Sequence, residues 1–398
     1  MTQELEFSAI FTTHSQVEFL ERCLEDFEKK TRIHVNVQWL QWATARAELV
    51  KMAIYHHGAD VSEIGSTWIS DFIAMNALRA YTNAEIEAVG GAQAFVPAAW
   101  MSGKTLPEEQ VWAIPWVISP VIIAYRRDLL QKAGVNAETG FKTFQAFHET
   151  LAKIQASGWE MPLALPLHRS QYSTLHNISS WIWGAGSDFL DPVAKQVTFH
   201  HPAALAAIKD YYALRHYFHK DFANQEDKTV NHSKAFWEGQ AAIAIGGSWL
   251  LTSTSDSAIV EENMAAAPLP GPSFVGAQSL VVWEHTRNPE AALALVKYLT
   301  DPATLDAYTS KFDLMPARLD LLSQGRYTTP PHSVLALAAK TGRSFPAIPL
   351  LGLVEDKLSL MVENLWDDVC ASSESELDAI VQRAVIAQAE RLNMILSG

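Results

Sequence analysis

The 398-residue chain is poor in several features that would decide its class at once. It holds two cysteines, Cys23 and Cys370, at opposite ends of the sequence. Both fall in helix-like segments and read as free buried thiols, while their positions alone leave a disulfide open. No run of 18 uninterrupted apolar residues occurs, so no membrane span is expected. The opening MTQELEFSAI has neither a basic start nor a long apolar region, so no signal peptide is expected there. That leaves a cytoplasmic protein or the mature form of an exported one. Basic residues are outnumbered, 30 Lys and Arg against 44 Asp and Glu, for a net charge of −14. Nucleic-acid binding needs a basic face to replace counterions, so that class is excluded. The same charge suits a soluble monomer.

Motifs of chemistry are also scarce. There is no G-x-G-x-x-G, no G-x-S-x-G nucleophile elbow and no H-E-x-x-H. SGKT at 102–105 matches the end of a phosphate-binding loop, but Ala98 stands where that loop needs glycine. Among the 14 histidines, His56-His57 and His200-His201 are adjacent, and His216 and His219 are spaced to share a helical face. A solvated polar face accounts for the last pair as well as a metal does, so no metal and no cofactor are expected. Carboxylates are plentiful, but spacing in sequence cannot pair two of them across a cleft as a glycosidase requires. Tandem repeats and low-complexity tracts are absent.

What is present is an α/β pattern. LEFSAIF (5–11) reads as a strand. A helix follows, with Ser15 and Glu18 as a capping box and Val17, Leu20, Leu24 and Phe27 on one face. IHVNV (33–37) alternates as a second strand, so a right-handed parallel crossover is expected. Residues 45–58 read as a helix stopping at Gly58, and 59–65 as a strand with Ser66 or Thr67 capping the next helix. Ligands of such sheets sit beyond the carboxyl ends of the strands, which here means 12–15, 38–42 and 65–68. Further on, VIIAY, MPLALPL, AIAI and QSLVVW read as strands. Helices are entered through Pro202 and, after an Asn288 cap, Pro289, and the last 50 residues are mostly helical. A chain of this length exceeds one ordinary core, so two lobes are expected.

Tryptophan is the abundant residue, with 13 copies. Trp39, Trp42, Trp68, Trp116, Trp181, Trp183 and Trp249 fall at predicted strand ends, several beside glycine, serine or threonine. An indole presents a π face to an apolar C–H surface while its N–H still donates. A sugar ring has such a C–H face and a hydroxyl rim, so this composition suits carbohydrate.

Five segments, in order, resemble the sugar-binding group of ABC-importer solute-binding proteins, the group that includes maltose-binding protein. They are FEKKTRIHVNVQW (27–39), ADVSEIGSTWISDFIAMNAL, AIPWVISPVIIAYRRDLLQKAGV, FWEGQAAIAIGGSW and NPEAALALVKYLTDPATLDAYTSKFDLMPAR. The resemblance runs nearly end to end. It implies an α/β, two-lobed periplasmic-binding-protein fold, each lobe a mainly parallel sheet flanked by helices. Lobe one would be 1–117 plus 277–316, and lobe two 118–276 plus 317–398. It implies a non-enzymatic, extracytoplasmic protein that captures a carbohydrate by hinge closure and delivers it to a membrane permease. The ligand residues implied are Thr13, His14, Trp42, Ser66, Thr67, Trp68, Trp116 and Gln278 from the first lobe or near the crossovers. From the second they are Asn177, Trp181, Trp183, Gly247, Ser248, Trp249 and Arg318, the last equally placed to hold a turn. The group's export signal is missing from this sequence. A gripping carboxylate is not assigned: Glu18, Glu63, Asp71, Asp188 and Glu238 are the candidates. Arg46, Arg169 and Arg318 motivate an alternative ligand, a charged polyol such as a glycerol phosphodiester, and a carbohydrate-active enzyme is the minor reading.

Overall fold

The computed structural model describes residues 3–105, 109–168, 173–192, 194–218, 232–252, 257–348 and 350–397. Arg169 and His219 lie outside the described residues. The chain divides into two compact units. One comprises Met1–Ser119, Val275–Gly325 and Ser344–Gly352; the other Pro120–Phe274, Arg326–Arg343 and Leu353–Gly398. Residues 317–325 and 344–352 therefore group with the first unit, whereas the resemblance sets its end at 316.

In chain order the strands are β1 (Gln3–Phe11), β2 (Ile33–Gln41), β3 (Val61–Gly65), β4 (Leu78–Arg79), β5 (Ile114–Pro120), β6 (Ile122–Arg126), β7 (Leu163–Ala164), β8 (Leu190–Asp191), β9 (Gln196–Val197), β10 (Ile243–Gly246), β11 (Met264–Ala267), β12 (Val275–Trp283) and β13 (Met315–Pro316). Five helices matter below: α1 (His14–Thr31), α2 (Trp42–Tyr55), α3 (Ser173–Gly184), α4 (Leu351–Ala371) and α5 (Leu377–Ser397).

The sheet of the first unit runs β13-β5-β12-β3-β1-β2, with β4 on β12. β1 pairs in parallel with both β2 and β3, as the strand–helix–strand pattern predicts. β12 runs against β3, so the sheet is mixed rather than parallel throughout. The core follows from the spacing. Leu5, Phe7 and Ala9 alternate along β1 and are fully buried, and Leu20, Leu24 and Phe27 form the inner stripe of α1. The second unit holds the sheet β11-β6-β10-β7 and the short ribbon β8-β9. β10 is parallel to β7 and antiparallel to β6, so this sheet is mixed too.

Several boundaries differ from the sequence expectation. The capping box of α1 is Thr13 with Gln16, not Ser15 with Glu18. β1 ends at Phe11 and Thr13 is still extended (φ −132°, ψ 151°), so Thr13 takes the cap and Ser15 lies in the first turn. α2 stops at a left-handed His56 (φ 48°), two residues before Gly58. Ser66 and Thr67 cap nothing with their side chains; they form a 3-10 turn, Ser66–Trp68, leading into helix Ile69–Ala74. Asn288 is an N-cap position, but its amide donates to the Glu4 carbonyl at 3.3 Å instead. Of MPLALPL only Leu163–Ala164 pairs as a strand, because the flanking prolines offer no N–H to a ladder.

Candidate functional site

The parallel strands of the first unit end together. Phe11 of β1 lies opposite Gln41 of β2, and Ser8 opposite Ser62 of β3, while Gln278 of the antiparallel β12 lies opposite Gly65. Topology thus brings Thr13, His14, Trp42, Ser66, Thr67, Trp68 and Gln278 to one sheet edge. Their availability differs. Thr13 and His14 are exposed, and Trp42, Thr67 and Gln278 are half-buried. The Thr13 hydroxyl accepts the Gln16 N–H at 3.4 Å, which ties it to the helix start. The Ser66 hydroxyl accepts the Ala277 N–H at 3.2 Å. Trp68 is buried and meets Trp42 edge to face, ring centroids 5.6 Å apart. It also lies over Gly65, where an added Cβ would stand 3.3 Å from its ring. Trp68 is therefore the floor and Trp42 the accessible member of the pair.

Two expected ligand residues, Trp116 near the crossovers and Arg318 assigned to the second lobe, serve elsewhere. Trp116 is 1% exposed, stacks on Tyr308 at 5.0 Å and 9°, and donates its indole N–H to the Leu299 carbonyl at 3.1 Å. It is core packing. Arg318 belongs to the first unit and uses its whole guanidinium there. It pairs with Asp320 at 2.9 Å, donates to the Val89 and Thr300 carbonyls, and lies over the Phe95 ring. It holds the turn.

In the second unit, β7 and β10 run in parallel and end at the same edge. Beyond β10 the chain continues Gly246-Gly247-Ser248-Trp249 into a 3-10 turn, Ser248–Leu251. The Trp237 indole donates to the Leu250 carbonyl at 3.1 Å and pins that turn. Gly247 has an extended backbone (φ −80°) that any residue adopts. Gly246 is the sterically required one: a Cβ there would lie 2.8 Å from His232 Nε2. Ser248 is buried, while Trp249 is 43% exposed. Asn177 on α3 is fully buried; its amide donates to the Ile245 carbonyl at 3.3 Å and its Oδ1 has no partner among the described residues.

Trp181 and Trp183 are corrected to core residues. Trp181 is 1% exposed, packs on Phe144 at 4.6 Å, and donates to Asp210 at 3.1 Å. Trp183 is buried, donates to Asp188 at 3.0 Å, and has the Arg343 guanidinium over its face at 5.0 Å. Neither keeps a free indole face for a sugar.

The candidate carboxylates are largely engaged. Asp71 accepts from Arg46 at 2.6 Å and from the Gly352 N–H at 3.2 Å. Asp188 serves Trp183, the Phe189 N–H and Arg343. Glu238 accepts from Gln240 at 3.2 Å, and Glu18 is solvent-exposed. Glu63 is 2% exposed and its Oε2 accepts the Ile10 N–H at 2.8 Å; burial pushes its carboxyl up to about 8. His232, which no sequence signal marks, is 3% exposed with neither ring nitrogen paired among the described residues, and burial pulls it down to about 4. Two further buried-edge pairs escape sequence reading, His168–Glu363 at 2.8 Å and His176–Glu355 at 3.0 Å, because their partners are distant in the chain. Among the described residues no three His, Cys, Asp or Glu are placed to hold a metal ion.

Comparison with known proteins decides the family: residues 13–305 match the bacterial extracellular solute-binding proteins. The chain belongs to that family. The maltodextrin-binding protein MdxE of Bacillus subtilis (strain 168) is 23% identical over 219 residues, 52% of this chain and 50% of that protein. The match thus spans about half the length of that relative. The sugar-binding protein MalE of Xanthomonas citri has the same fold, with a TM-score of 0.83, 20% identity, and coverage of 99% and 98% of the two chains. Maltose-bound MalE3 of T. maritima superposes at 0.79 with 19% identity, covering 98% and 99%. A solute-binding protein of this family works outside the cytoplasm. No helix among the described residues is long and apolar enough to cross a membrane.

Proposed function

We propose that this solute-binding protein captures a neutral carbohydrate, a mono- or oligosaccharide or glycoside, and delivers it to the permease of an ABC importer. The observation that carries the reading is Trp249, a large indole left 43% exposed at the carboxyl end of β10, directly after a glycine pair and a serine. Trp42 provides a second accessible indole at the corresponding edge of the first unit, with Thr13, His14, Thr67 and Gln278 as polar neighbours. Indole faces suit the C–H face of a sugar, and hydroxyl, amide and imidazole groups suit its rim. Relatives described as binding maltodextrin and maltose support the same class.

The charged-polyol alternative is disfavoured by ion pairing. Of the arginines that motivate it, Arg46 pairs with Asp71 and Arg318 with Asp320, while Arg169 lies outside the described residues. In the proposed cycle the ligand drives hinge closure because it contacts both units only in the closed state. The protein binds without chemistry.

The test is a thermal-shift and tryptophan-fluorescence screen against mono-, di- and oligosaccharides. A ligand present at about a hundred times its Kd should stabilise the protein by roughly 2.7 kcal/mol. Absence of any shift or fluorescence change across a broad panel removes the carbohydrate assignment. Native mass spectrometry of the purified protein identifies a co-purified solute by mass, and steady turnover of a bound sugar would establish an enzyme instead.

A further inference from the structure

The two carboxyl-terminal helices, α4 and α5, enclose a groove of about 700 Å³ within the second unit. Its α4 wall is a single stripe: Lys357, Leu360, Met361, Leu365 and Asp368 recur at one-turn spacing. The α5 wall is built likewise from Arg383, Ala384, Ala387, Arg391 and Met394. From Lys357 to Asp368 the stripe is about 17 Å long at 1.5 Å per residue, the reach of a helix of roughly 12 residues. The alanines leave room for a third backbone to approach, and the methionines are soft enough to adapt to it. Met394 is 67% exposed and Ile395 beside it 36%, so the apolar floor is open to water.

The charge on the rim selects among occupants. The chain as a whole carries −14, yet this groove is lined by three cations and one carboxylate. Lys357, Arg383 and Arg391 make no ion pair or hydrogen bond among the described residues. By contrast, Arg46, Arg318 and Arg343 are each paired with an aspartate. We propose that this groove is a docking surface for an amphipathic helix of a partner protein, with an apolar stripe on the floor and carboxylates along its flanks meeting Lys357, Arg383 and Arg391. Helix-in-groove recognition uses this combination of an i, i+3, i+4, i+7 apolar stripe and rim charges. It is separate from solute capture, since none of the groove residues belongs to either strand edge.

The probe is an acetylated, amidated amphipathic peptide of about 14 residues with leucines on one face and glutamates on the flanks, and a twin with lysines for glutamates. The full chain is labelled at its methionine methyls, and the Met361 and Met394 signals are followed by NMR. The glutamate peptide should shift both signals saturably, and more weakly at high salt; the lysine twin should not. Arg383→Glu with Arg391→Glu should weaken binding roughly tenfold at unchanged melting temperature, as expected for two rim charges. Equal binding of both peptides, no shift with either, or indifference to the charge reversal overturns the proposal. So does a response only to phosphatidylglycerol vesicles, which would make the groove a lipid contact.

Discussion

Replacing Glu63 by glutamine should abolish most of the alkaline loss of stability in the first unit. Glu63 sits on β3 with its carboxyl 2% exposed and one hydrogen bond from the Ile10 N–H. That bond favours the charged form, but desolvation dominates and holds the group protonated up to about pH 8, against 4.5 when unfolded. The sign follows from linkage. Below 4.5 both states are protonated and nothing is lost. Between 4.5 and about 8 the unfolded chain releases a proton that the folded chain keeps, so stability falls as pH rises, then levels off. At about 1.4 kcal/mol per pH unit, that window amounts to roughly 5 kcal/mol, a large share of a typical domain's stability.

Glutamine keeps the shape and an acceptor for the Ile10 N–H but has no proton to exchange. Hydrogen exchange of peptides spanning β1 and β3, with urea present, should show wild type opening more easily as pH rises from about 5 to about 8, and Glu63→Gln staying nearly level after correction for intrinsic exchange. The two should coincide near pH 4.5, and a direct carboxyl titration by NMR should place Glu63 far above the ordinary range. If the two proteins lose stability in parallel between those pH values, burial of Glu63 is not what the geometry indicates.

Trp249→Ala should lower sugar affinity roughly tenfold, the worth of one stacking platform, while leaving the melting temperature nearly unchanged; calorimetry reads both, and unfolding would return Trp249 to the core. Trp116→Ala should act the opposite way, losing about 3–5 kcal/mol of stability through the cavity beside Tyr308, with little effect on affinity in the protein that remains folded. His232→Gln should flatten the acid limb. Because burial pulls His232 to about 4, wild-type stability is full above 6.5 and declines as pH falls towards 4, by roughly 3 kcal/mol, and urea unfolding across that range reads the difference.

The fold was legible because its signals are local. Alternation along 33–37, the apolar stripe at Leu20, Leu24 and Phe27, and the prolines at 202 and 289 each declare an element within a few residues. Even so, two overlapping capping boxes begin at Thr13 and Ser15, and only the end of β1 at Phe11 decides between them. The strand-end rule also named 12–15, 38–42 and 65–68, which fall at or just beyond the ends of β1, β2 and β3. It could not say which tryptophan turns outward, because that depends on partners far along the chain. Trp116 is claimed by Leu299, 183 residues on, and Arg318 by Val89, 229 residues back. Trp181 and Trp183 have nearer partners, Asp210 and Asp188, yet nothing local announces the pairing. Composition marks a tryptophan as available for stacking; tertiary contacts decide whether it is.

Glu63 and His232 make the two units unlike in their response to pH. Each is a titratable side chain buried without a counter-charge among the described residues, one on β3 of the first sheet and one against Gly246 in the second unit. Their penalties rise in opposite directions, Glu63's above 4.5 and His232's below 6.5. Between those values the two slopes cancel, so these groups together leave total stability level there while shifting its distribution. Towards the acid end the second unit carries the larger penalty, and towards the alkaline end the first does. Among the described residues neither group forms an ion pair that would offset its burial.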